Sequence, residues 1–112
     1  MLQTRGCLKI IEFYQTKVGK EPCREWLDSF DGVIRRKILA YITRIAGGAA
    51  KKSIRALGDG IFEIKIDHGP GFRVYFSEIG NVLILLLVGD DKHSQFRYIQ
   101  QAKDYRRTYK KK

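Results

Sequence analysis

The sequence predicts an α+β domain with a small, largely antiparallel sheet and helices packed on one face. Three patterns carry that expectation. Residues 62–76, FEIKIDHGPGFRVYF, form two alternating runs joined by Gly69-Pro70-Gly71, the signature of a β-hairpin. Apolar residues recur at helical spacing both before this hairpin and near the C-terminus. The run VLILLLV at 82–88 does not alternate at all, which suits a strand that is central or covered on both faces.

In chain order, LKIIEFY at 8–14 is rich in β-formers and reads as a first strand. Pro22 opens a short helix with Trp26, Leu27 and Phe30 on one side. Asp31 caps a second helix, in which Ile34, Ile38, Tyr41, Ile42 and Ile45 form the apolar stripe. Arg35, Arg36 and Arg44 lie off that stripe, and Gly47 and Gly48 end the helix, so the pair reads as a helical hairpin. Residues 49–60, AAKKSIRALGDG, read as a basic connection in which Gly58, Asp59 and Gly60 turn into the next strand. The β-hairpin and the apolar strand follow. A last helix begins at about Ser94, with Tyr98, Ala102, Tyr105 and Tyr109 on one stripe and a cationic tail. The order is β-α-α-β-β-β-α in a single domain, 1–112. Alternation turns Phe62, Ile64, Ile66, Phe72, Val74 and Phe76 towards the helices, and Glu63, Lys65, Arg73 and Tyr75 away from them.

Charge supplies the first functional constraint. The 22 Lys and Arg outnumber the 12 Asp and Glu, giving a net charge of +10 and favouring a polyanionic partner such as nucleic acid. No run reaches the ~20 apolar residues of a membrane helix. The N-terminus lacks the pattern of a signal peptide, so a cytoplasmic location without membrane association is expected. Cys7 and Cys23 fit no metal spacing and read as free thiols. Asp90 and Asp91 lack a third ligand, so no metal and no other cofactor is expected.

The block GDGIFEIKIDHGPGFRVYF, followed by LLLVGDDKHSQFRYIQQAKDY, resembles the phage-related, HigB-like branch of the RelE/ParE toxin superfamily, the toxic halves of bacterial toxin–antitoxin modules. The likeness covers nearly the whole chain. It implies the RelE-like fold and a type II toxin: a ribosome-dependent, metal-independent mRNA endoribonuclease, or mRNA interferase, that inhibits translation by activating the ribose 2′-hydroxyl against the adjacent phosphate. It also implies a cognate helix-turn-helix antitoxin, with the ribosome and mRNA as the other partners. ParE-like members instead inhibit DNA gyrase and have no nuclease site. The alternatives are therefore a ParE-like gyrase inhibitor, or a degenerate toxin acting as an antitoxin-binding corepressor.

Such cleavage needs a base for the 2′-hydroxyl, an acid for the leaving 5′-oxygen and cations around the phosphorane. Arg73 matches the arginine that follows the hairpin turn in RelE-like nucleases and is expected to hold the phosphate from an exposed strand position; the competing reading pairs it with Glu63. Lys65 stands where those nucleases carry a basic residue, as a source of charge or of a proton. Glu63 departs from the pattern, which often has a second lysine there; it could serve as a base or neutralise Lys65. His93 is the candidate proton exchanger, and Lys92 a phosphate ligand near the start of the last helix; the competing reading is a capped helix with both side chains exposed. These three, Arg73, Lys65 and His93, form the expected catalytic set. RNA contacts are assigned to Lys92, to Tyr75 as a stacking platform, and to Lys51, Lys52, Arg55, Arg106 and Arg107 as phosphate contacts. His68 is expected to be an exposed loop residue.

Overall fold

A computed structural model describes residues 10–48, 53–69, 71–80, 83–90 and 95–109. The chain runs β1 (Ile10–Phe13), α1 (Pro22–Asp28), α2 (Gly32–Ala46), β2 (Ile54–Gly58), β3 (Ile61–Ile66), β4 (Phe72–Ile79), β5 (Leu83–Asp90) and α3 (Gln95–Thr108). The α+β class and the largely antiparallel sheet are as expected. The strand order is β1-β5-β4-β3-β2, antiparallel from β2 to β5, with β1 added in parallel to β5.

Local chemistry sets the helix boundaries. Pro22 occupies the first turn of α1, where its missing N–H costs no helical hydrogen bond. Asp31 caps α2: its Oδ1 accepts from the backbone N–H groups of Val33 and Ile34, at 3.0 Å each. The apolar stripe of α2 buries Ile38, Ile42 and Ile45 against Ile64, Ile66, Phe72, Val74 and Phe76 of the sheet. Trp26 and Phe30 surround Phe72 edge-on, at ring distances of 6.2 and 5.1 Å. Trp26 also lies so close to β5 that a methyl group at Gly89 would run into its indole ring.

Two features differ from the sequence reading. The basic connection contains a strand: β2 pairs with β3, and Asp59 and Gly60 form the two-residue turn between them, both with positive φ (55° and 77°). Asp-Gly is a strong hairpin signal, because both residues tolerate the left-handed conformation that such a turn imposes. The helices also divide between two faces. α1 and α2 cover the side of Phe62, Ile64, Ile66, Val74 and Phe76, whereas α3 lies on the other, where Ala102 packs in one cluster with Tyr14, Ile61, Tyr75, Ile79, Leu87 and Val88. The reason is visible in β5, whose non-alternating apolar run needs cover on both sides.

Candidate active site

The β3–β4 hairpin builds the site. Its register sets Lys65 opposite Arg73 and Glu63 opposite Tyr75, all on the α3 side of the sheet. Behind the hairpin, the Trp26–Phe30–Phe72 cluster anchors the first residue of β4, so Arg73 projects from packed backbone. The loop closes through the N–H of Gly71, which donates to the carbonyl of His68 at 2.9 Å; Gly69 and Gly71 have φ of 58° and 92°, in the region that favours glycine.

At this end α3 no longer covers the sheet, and a cleft of about 370 Å³ opens, lined by Lys65, Asp67, His68, Gly69, Gly71, Phe72 and Arg73. Lys65 is exposed and Arg73 is held at its base, only 16% exposed. Glu63 does the holding: Arg73 Nε is 3.4 Å from Glu63 Oε2, and Arg55 Nη2 approaches Oε1 at 3.3 Å from the neighbouring strand. The Glu63 side chain is 5% exposed. Burying it would be costly without partners, and two guanidiniums supply them. A carboxylate engaged in this way orients its arginine. It is poorly placed to take a proton from a substrate hydroxyl, which must come within about 2.6–3.2 Å. Arg73 Nη1 is buried and has no hydrogen-bond partner among the described residues.

The other sequence candidates fare unequally. Tyr75 is fully buried under α3, which corrects its assignment as a stacking platform: alternation identified its face, but α3 covers that face at this end. Arg73 is likewise not the freely exposed residue expected. Arg55 is exposed at the edge of the sheet and pairs with Glu63. Arg106 is half-buried, and its Nε donates to Ser77 Oγ at 3.0 Å, so it ties α3 to β4. Arg107 is exposed and pairs with Asp104. Lys51, Lys52, Lys92 and His93 lie outside the described residues; β5 ends at Asp90, in register with Arg73. His68, expected to be an exposed loop residue, is half-buried and lines the cleft with Lys65 and Arg73. Its signal was its position three residues beyond Lys65 in a loop short enough to fold back over the strand ends.

Fold and site together define a small basic α+β protein with a cationic cleft at one hairpin end. Residues 25–111 match the family described as phage derived protein Gp49-like (DUF891), and the chain belongs to that family, which is tied to the RelE toxin–antitoxin group. A protein of Haemophilus influenzae, described as an uncharacterized protein, is 42% identical over 79 residues, covering 70% of this chain and 79% of the relative. Among the described residues, no helix is long and apolar enough to cross a membrane.

Proposed function

We propose that the protein is the toxin of a type II toxin–antitoxin module: a HigB-like, ribosome-dependent endoribonuclease that cuts mRNA and stops translation until a helix-turn-helix antitoxin masks it. The observation that carries this reading is the pairing of Lys65 with Arg73 in an open cleft, with the arginine oriented by a buried carboxylate. A phosphodiester suits that cleft. Arg73 takes a non-bridging oxygen through its guanidinium and Lys65 adds a second positive charge, so charge accumulating on the phosphorane meets donors already in position. The 2′-oxygen bonds to phosphorus as the 5′-oxygen leaves. His93 takes the 2′-hydroxyl proton, since an imidazole titrates in the neutral range, and Lys65 supplies the proton that the leaving 5′-oxygen gains.

Arg73→Lys is the variant that tests this reading, because it keeps a positive charge beside Glu63 and removes only the planar fork. With purified ribosomes and a defined mRNA, cleavage should fall by ~100–1,000-fold, the loss associated with one preorganised donor, while the melting temperature stays near that of the wild type. Unchanged cleavage would remove the arginine from the chemistry. Intact transcripts together with accumulating cleaved DNA–gyrase complexes would favour a gyrase inhibitor instead.

A further inference from the structure

The reaction above uses one side of the hairpin loop. On the other side, a second cleft of about 300 Å³ opens between α2 and the loop, lined by Lys37, Ala40, Tyr41, Arg44, Asp67 and His68. Asp67 and His68 line both clefts, so the two hollows meet across the loop. The Arg44 guanidinium lies over the Tyr41 ring, 4.6 Å from its centroid. Lys37 and Arg44 are exposed and have no ion-pair partner among the described residues.

The helix that supplies these cations is unbalanced. From Gly32 to Ala46 it contains Arg35, Arg36, Lys37 and Arg44 and no acidic residue. Arg44 lies in its last turn, where the helix dipole favours positive charge, and Lys37 lies beyond the first turn, so the dipole penalises neither. An ordinary solvated helix face mixes signs, whereas here the acid is confined to the Asp31 cap. Cations left without an acidic neighbour along the helix and gathered at a cleft point to an anionic ligand.

We propose that this second cleft is a subsite for the flanking part of the RNA strand cut in the first. Lys37 and Arg44 hold its phosphates, the Tyr41–Arg44 pair offers a flat surface for one base, and the strand crosses the loop at His68. The inference rests on the ribonuclease reading and extends it from a single scissile phosphate to a strand of several nucleotides. An acidic protein segment would also be drawn to the cations, but it has no use for a stacking plane continuous with a phosphate cleft.

Fluorescence anisotropy with labelled 2′-deoxy-substituted RNA, which cannot be cut, tests this with a trinucleotide and a nonanucleotide. The nonanucleotide should bind the wild type more tightly. Lys37→Ala combined with Arg44→Ala should weaken it about tenfold and reduce the log–log salt slope by about 1.4, the value for two contacts to a single strand. The trinucleotide should bind the double variant as it binds the wild type, while Lys65→Ala should weaken both ligands. Equal loss for both lengths in the double variant, or no loss for either, would overturn the subsite. So would a glutamate-rich peptide that binds the wild type, fails to bind the double variant and leaves nonanucleotide affinity equal in the two; that result would assign the cleft to a protein. If the wild type binds neither RNA, the subsite is overturned; the ribonuclease reading is judged separately, by whether the wild type cuts mRNA on purified ribosomes. A double variant that binds and cuts long RNA normally removes the subsite alone.

Discussion

Glu63 shares a strand face with Lys65, yet solvent reaches one side chain and not the other, because Arg55 and Arg73 close over the carboxylate from both neighbouring strands. Glu63→Gln keeps the shape and removes the charge that holds Arg73. Cleavage should fall about tenfold, and stability by ~1–3 kcal/mol, the cost of leaving a buried partner unsatisfied. In an Arg73→Lys background the same change should add little to the rate loss, since the two residues act as one unit; additive losses would give Glu63 a role independent of Arg73. A second residue-level consequence concerns Cys23, whose burial pushes its thiol up to about 12. The unfolded chain releases this proton near ~8.5. The contribution to stability is therefore whole below that pH and is lost as pH rises towards the folded value. Urea unfolding at about pH 7 and about pH 10 should show a larger alkaline loss for the wild type than for Cys23→Ala.

At the scale of elements, α1 is seated on the sheet through a close approach rather than through area alone. The indole of Trp26 occupies the space above Gly89, the only kind of residue that leaves room for it there. Gly89→Ala should destabilise the fold by ~1–3 kcal/mol, as overpacking of a filled core does, measured by denaturant unfolding. A smaller partner should relieve the strain, so Trp26→Leu should cost less in the Gly89→Ala background than alone. The opposite sign would mean that backbone movement accommodates the methyl group. Because Gly89 is in register with Val74, the residue after Arg73, the same substitution should also lower cleavage. The β2–β3 hairpin has a comparable role at the other edge: the Asp59–Gly60 turn and the bulge between Ala56 and Gly58 together set the register that puts Arg55 opposite Glu63.

Across the whole molecule, the net charge of +10 acts through its distribution. Arg55, Arg73, Arg106 and Arg107 have acidic or hydroxyl partners within the fold, whereas Lys65, Lys37 and Arg44 remain at the two clefts that meet at the hairpin loop. RNA binding should therefore weaken steeply with salt. Lys65→Ala should reduce the log–log slope by about 0.7, as the loss of one phosphate on a single strand does, and Arg107→Ala should leave it unchanged. Titrating anisotropy against potassium chloride checks both; equal slopes for the two variants would mean that charge acts diffusely and not at the clefts.

What could be read from the chain alone was local. The Pro22 and Asp31 helix starts, the apolar stripe of α2, the tyrosine stripe of α3 and the alternation of β3 and β4 depend on residues a few positions apart, and each recurs in the structure. The hairpin block carried the family resemblance for the same reason: its residue types and spacing are contiguous. Alternation states which side of a strand a side chain takes, not what lies on that side. Tyr75 and Lys65 share a face, but α3 buries the first and stops short of the second; that depends on how a helix some twenty residues further on crosses the sheet. Glu63 became the support of Arg73 only when β2 joined β3 and brought Arg55 to its other oxygen. The meeting of α2 with the hairpin loop, and with it the second cleft, is likewise a non-local contact. Sequence periodicity chose the faces, and the packing of distant elements chose which parts of them stay open, because burial is a property of the assembled core and not of any one strand or helix.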